Sequence, residues 1–268
     1  MQARKFLKRA IDIIMRPYMR ILPGQLAFFW LMSLIPLVVV VGSIANYFSL
    51  SLDSLDSVSS TLPFDASYLF SSASITDGGL NFSIIIFFFS SFLLASNGMH
   101  SVIVTSSEIY GYPDEGILDR RLKSIAMTLV LVLMLLFLLI FIVFGNSILE
   151  IYNNSATMGS FASFLLKIFE YLKLPLTLVF VYFNIRTLYR MGPTDKIKNK
   201  ASSIAALFTT TIWAIGTEIY AIYFKFFANY NLFYGSVSNI LILMIWLYFL
   251  AYTFVVGMTI SGNLSESL

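Results

Sequence analysis

Apolar residues gather into six long runs along this chain, at about 25–48, 80–104, 124–145, 174–191, 203–227 and 237–260. Each run is close to the ~20 residues that a membrane-spanning helix needs. None shows the strict two-residue alternation of a half-buried strand. The pattern predicts an all-α polytopic membrane protein with six transmembrane helices. The second run is the weakest. Its strongly apolar part ends at Ala95, and Ser96, Asn97, Gly98 and His100 follow directly. Two readings stand: a full span with a polar inner end, or a re-entrant segment that inverts everything after it.

The placement of charge favours the full span. With six spans, one side of the membrane receives Arg4, Lys5, Lys8, Arg9, Arg16, Arg20, Arg120, Arg121, Lys123, Arg186, Arg190, Lys196, Lys198 and Lys200. The other side keeps only Lys167, Lys173 and Lys225. Basic residues accumulate on the cytoplasmic side of membrane proteins. Both termini are therefore expected inside, and residues 1–268 are expected to form one integral membrane domain.

Three stretches outside the runs have their own pattern. Residues 1–23 form a basic segment, with Lys5, Lys8, Arg9, Asp12, Arg16 and Arg20 at helical spacing. Phe6, Leu7, Ala10, Ile11, Ile13 and Ile14 supply an apolar face. Such a helix lies in the headgroup plane and favours anionic phospholipid. It either sets orientation only or also positions a lipid or a partner. Pro17 and then Pro23-Gly24 are expected to bend the chain before the first span. Residues 49–79 make a Ser-rich extracytoplasmic loop with four acids and no base. It is either plainly solvated or a cap over a pathway. Residues 161–173 read as an outer interfacial helix, with Pro175 opening the first turn of span four.

Composition agrees. The chain of 268 residues is 58% hydrophobic and 12% charged, with a mean hydropathy of +0.84. Soluble domains carry about 25% charged residues, so this chain cannot cover a water-facing surface. It has no cysteine, which excludes disulfides and thiolate metal sites. Its one histidine, His100, excludes a His-rich metal site within one copy. No cofactor is expected. The first run is longer than the 7–15 apolar residues of a signal peptide. It is expected to stay in the membrane.

Several local strings resemble the YihY/BrkB membrane family, once labelled ribonuclease BN. They are Gln25-Leu-Ala-Phe-Phe-Trp-Leu-Met-Ser-Leu-Ile-Pro36 in span one and Leu188-Tyr-Arg-Met-Gly-Pro193 after span four. Phe233-Tyr-Gly-Ser236, followed by Leu241-Ile-Leu-Met-Ile-Trp-Leu-Tyr248, matches the start of span six. The order holds across nearly the whole chain. One departure is Thr259, which stands where the family often carries a Glu, so no role of that Glu carries over. The resemblance implies a six-helix bacterial inner-membrane protein linked to envelope function and virulence.

Candidate chemistry lies in polar groups at membrane depth, where charge is costly and usually functional. Glu218 falls near the middle of run five, and Asn184 reaches a similar depth in run four. They form either an interhelical hydrogen bond or a substrate or proton site. Arg186 and Arg190 lie lower. With Lys196, Lys198 and Lys200 they either snorkel to headgroups or make a phosphate-binding patch. Asn97 and His100 give span two a polar side that lines a cavity or bonds to neighbours. Pro36 is expected to kink span one.

No metal-ligand spacing, general acid–base pair or phosphate-binding loop is present, so a hydrolase or an ATP-driven pump is disfavoured. The leading expectation is a non-ATP-driven transporter or flippase for an envelope lipid or other amphiphile, not an enzyme. A non-catalytic scaffold of an envelope complex is the alternative, with a membrane-bound hydrolase behind it. The expected partners are membrane lipids, with no nucleic acid. Self-association is left open.

Overall fold

The computed structural model describes residues 15, 21–33, 82–111, 116–154, 160–193, 197–227 and 238–267. Lys5, Lys8, Arg9, Arg16, Arg20, Pro36, the 49–79 loop, Lys196 and the 233–236 string lie outside them. Every described element is a helix: α1 (Ile21–Ser33), α2 (Phe82–Tyr110), α3 (Ile117–Asn154), α4 (Ser160–Met191), α5 (Asn199–Phe227) and α6 (Ser238–Ser267). Helices satisfy their own backbone, which apolar surroundings demand. At 1.5 Å per residue α2–α6 run about 43–57 Å, longer than the ~30 Å hydrocarbon layer. Among the described residues, Asn199–Tyr223 and Ile240–Glu266 are long and apolar enough to cross a membrane, and Ile21–Ser33 is a shorter apolar helix.

Helix boundaries depart from the apolar runs in physical ways. α2 continues past His100 to Tyr110 without a break. It ends where Gly111 takes a φ of 68° and its N–H donates to the Ser107 carbonyl at 2.9 Å. That is the left-handed stop glycine makes cheaply. Pro175 does not open span four. It lies inside one continuous α4, so the interfacial piece 161–173 and the span are a single helix. The Thr177 hydroxyl donates to the Lys173 carbonyl at 2.8 Å beside the proline. Pro23 and Gly24 lie within the described helical stretch 21–33, so the chain is helical where Pro23-Gly24 is expected to bend it.

The five long helices close into a ring: α2 packs on α3, α3 on α4, α4 on α5, α5 on α6, and α6 on α2. α5 and α6 make the most extensive pair and run antiparallel. Down their seam the Tyr220 hydroxyl donates to the Ile242 carbonyl at 2.8 Å. Trp246 Nε1 donates to Thr217 Oγ1 at 3.3 Å. Trp213 Nε1 reaches Thr253 Oγ1 at 2.7 Å and the Leu250 carbonyl at 3.1 Å. The Phe249 ring fills the space beside Gly216. Without a hydrophobic force between helices in lipid, small residues and hydrogen bonds of this kind supply association.

One end of the ring carries the bases. Lys123 Nζ donates to the Pro193 carbonyl at 3.0 Å, tying α3 to the turn after α4. The Lys198 amide donates to Ser265 Oγ at 3.2 Å, bringing the end of α6 alongside. Close packing concentrates toward this end. Val102, Ile103, Met127, Ala201, Ala205, Phe254, Val255 and Met258 are fully buried there. By contrast, no residue of α4 from Tyr171 to Asn184 is buried, nor any of α5 from Thr211 to Tyr223. The ring is sealed at its basic end and looser toward the other.

Candidate functional site

The seal is built around Tyr189 of α4, which is wholly buried. Its hydroxyl donates to the Phe254 carbonyl at 2.8 Å and lies 2.8 Å from Thr209 Oγ1. Its ring stacks on Phe254 at 4.8 Å. Phe254 in turn meets Trp30 of α1 at 5.5 Å and Trp213 at 6.4 Å. Four helices therefore converge on one aromatic cluster. Gly257 makes this possible: a Cβ there would strike the Tyr189 hydroxyl and Thr209. Gly262 does the same for the Tyr110 ring, whose hydroxyl donates to the Met258 carbonyl at 2.9 Å. Thr259 is buried and donates to the Val255 carbonyl at 3.1 Å within its own helix.

Beside the seal, the seam between α2 and α3 holds a polar notch. Arg121 Nη1 donates to Asn97 Oδ1 at 2.8 Å, and Nη2 reaches the Leu93 carbonyl at 3.4 Å. His100 stands one turn along α2, within electrostatic reach of Arg120 and Arg121. Its Nδ1 is buried and has no hydrogen-bond partner among the described residues. Ser106, nine residues beyond Asn97 on α2, lies against Gly192 in the turn after α4. The Arg121 guanidinium is thus held about 14 Å along α2 from the level of that turn. Arginines near a membrane edge normally extend toward headgroups. Arg121 is fixed at the depth of Asn97. Around it Leu93, Leu94, Leu118 and Leu122 are exposed.

The remaining sequence candidates are dispersed. Arg186 is half-buried on α4, and its buried Nε has no partner among the described residues. Arg190, Lys198 and Lys200 are exposed at the basic end. Asn184 is half-buried and donates to the Phe180 carbonyl of its own helix at 3.0 Å. Glu218 is exposed on α5, with no hydrogen bond to Asn184 among the described residues. The structure therefore joins Asn97, His100 and Arg121, and leaves Asn184 and Glu218 apart. Arg121 and Tyr189 are the residues that sequence spacing does not single out. The bare positive charge of Arg121 counts toward topology alone, and Tyr189 is one apolar position among many. Among the described residues, no group of three or more His, Cys, Asp or Glu could hold a metal ion.

The chain is similar to known membrane proteins. The chain is 28% identical over 251 residues to the ribonuclease-like protein YfkH of Bacillus subtilis (strain 168), covering 91% of this chain and 89% of that protein. It is 32% identical over 79 residues to a UPF0761 membrane protein of Klebsiella pneumoniae, covering 30% of this chain and 28% of that one. A UPF0761 membrane protein of Coxiella burnetii is 36% identical over 76 residues, covering 28% of this chain and 26% of that one. No solved structure matches. The family model described as virulence factor BrkB matches residues 19–267. With nearly its whole length matched, and with apolar helices closed into a ring, this chain belongs to the virulence factor BrkB family of membrane proteins.

Proposed function

We propose that this protein moves an anionic amphiphile, such as an envelope lipid, between the leaflets of a bacterial inner membrane without ATP. In this reading the chain spans six times with both termini in the cytoplasm, and the basic end of the ring is the cytoplasmic end. The observation that carries it is Arg121, fixed to Asn97 in a notch between α2 and α3 and flanked by exposed leucines. A phosphate head needs fixed donors, and Arg supplies them in a planar fork. The acyl chains need apolar surface, and Leu93, Leu94, Leu118 and Leu122 supply it at the same place.

The ring adds the rest of a pathway. It is tightly closed around Tyr189 and Phe254, and looser along α4 and α5 toward the other end. An alternating-access device needs one closed end and one accessible end, with the substrate group near the boundary. His100 Nδ1 and Arg186 Nε are buried beside that boundary and have no hydrogen-bond partner among the described residues. Unpaired buried donors are costly, and a bound headgroup would satisfy them. The bases of residues 1–23, with Lys196, Lys198 and Lys200, concentrate anionic lipid at the cytoplasmic face. The test is lipid flipping in vesicles containing the purified chain, with Arg121→Ala as the diagnostic variant.

A further inference from the structure

Glu218 lies on the wrong side of its helix for a residue of the ring. α5 turns Trp213, Gly216, Thr217 and Tyr220 toward α6. Thr209, Ala205 and Ala206 are buried in the core. The opposite stripe is Ile204, Leu207, Thr211, Ile215, Glu218 and Ile222, all exposed. Ile215, Ile219 and Ile222 around the carboxyl are 54%, 62% and 56% exposed. Glu218 has no hydrogen bond or ion pair among the described residues. It stands nineteen residues, about 28 Å, beyond Asn199 and five residues short of Tyr223, within the apolar stretch Asn199–Tyr223.

A carboxyl facing hydrocarbon with no partner is unfavourable, and acids at this depth almost always find one. The partner must sit at the same depth and beside an isoleucine surface. A second copy inserted with the same orientation meets both conditions through Glu218 itself. A two-fold axis along the membrane normal brings equal depths together, so like residues face each other. Isoleucines alone would not drive this, because lipid tails are as apolar as they are. A hydrogen bond between the two carboxyls, with a proton held between them, supplies what the isoleucines lack.

We infer that the outer stripe of α5 is a self-association surface on which a second copy of this chain packs, with Glu218 paired to Glu218. This inference does not rest on lipid transport, because the α2–α3 notch lies on other helices. The full chain contains no native cysteine, so single probes report cleanly. Ile215→Cys and Ile222→Cys are placed on the stripe, and Leu129→Cys and Leu133→Cys on an exposed face of α3 serve as controls. Membranes holding each variant are oxidised with copper–phenanthroline and run on a non-reducing gel.

The stripe variants are expected to give a band at twice the chain mass, well above the α3 controls. Adding Glu218→Ala should weaken association roughly 5- to 30-fold, the range expected for a lost intramembrane hydrogen bond. Glu218→Gln keeps hydrogen-bonding capacity and should retain the band. Photobleaching steps of single labelled chains in liposomes provide the second measurement, with two steps expected for the parent and mostly one for Glu218→Ala. The inference is overturned by stripe variants that cross-link no more than the controls. A cross-linked product of another mass, or Glu218→Ala chains that pair like the parent, overturns it equally.

Discussion

Arg121 and Asn97, 24 residues apart in sequence, meet at 2.8 Å across the seam of α2 and α3. The pair holds the guanidinium against α2, beside the Leu93 carbonyl. If it docks an anionic head, Arg121→Ala should abolish most of the stabilisation that phosphatidylglycerol adds to the chain in nanodiscs. Asn97→Ala should remove a smaller part, and the double variant no more than Arg121→Ala alone, since contacting residues do not add. Neutral phosphatidylcholine nanodiscs serve as the baseline. Equal stabilisation of Arg121→Ala and parent would contradict the notch.

The aromatic seal makes a separate prediction about stability. Tyr189→Phe removes one buried hydroxyl but leaves the Thr209 hydroxyl its bond to the Ala205 carbonyl at 3.0 Å. Its cost should be about 1 kcal/mol. Gly257→Ala drives a methyl into Tyr189 and Thr209 and should cost about 1–3 kcal/mol, as overpacking does. Combining the two should cost less than the sum, because Tyr189→Phe vacates the space where the methyl goes. Thermal unfolding in one detergent, compared across the three variants, measures this.

Topology is tested by chemical labelling. Asn153→Cys, at the far end of α3, should react with a membrane-impermeant maleimide added to intact cells. Asn199→Cys, at the start of α5, should react only after the membrane is opened. Labelling of Asn199→Cys in intact cells would reject the six-span arrangement with both termini inside.

The basic segment at the N-terminus makes an electrostatic prediction. A peptide of residues 1–20 should bind vesicles containing anionic lipid and leave them as salt rises, because each base near the surface contributes about 1 kcal/mol. Co-sedimentation at two ionic strengths reads this directly. Equal binding to neutral vesicles would show that its apolar face alone carries the affinity.

The helical architecture was legible in the sequence because runs such as 203–227 and 237–260 are too long and too apolar for anything else. The family was legible too, through strings such as Leu188-Tyr-Arg-Met-Gly-Pro193. In the structure Tyr189 of that string makes the seal, and Gly192 receives Ser106. Helix ends were less legible. Pro175 carries the usual mark of a first turn, yet α4 continues through it with Thr177 bonding to the backbone alongside.

The candidate site was legible in part. Asn97 and His100 stand out as polar residues in an apolar run. Their partner Arg121 does not, because the level at which α3 starts beside α2 depends on the path of the connection between them. Glu218 stands out for its charge, but charge at depth does not say which way a side chain faces. The facing of α5 is decided by Gly216 and its neighbours Trp213 and Tyr220, which seat it on α6 and turn Glu218 outward.

The central claim is that the chain moves an anionic amphiphile past the α2–α3 notch. The most direct measurement is the fraction of fluorescent phosphatidylglycerol in vesicles that becomes accessible to external dithionite. Vesicles with the parent chain should lose fluorescence from the inner leaflet within minutes, without ATP. Arg121→Ala should slow this by tenfold or more, and Arg186→Ala by less. Parent vesicles that retain inner-leaflet fluorescence like protein-free ones would contradict transport of this lipid class, and an Arg121→Ala variant as fast as the parent would contradict the assigned route.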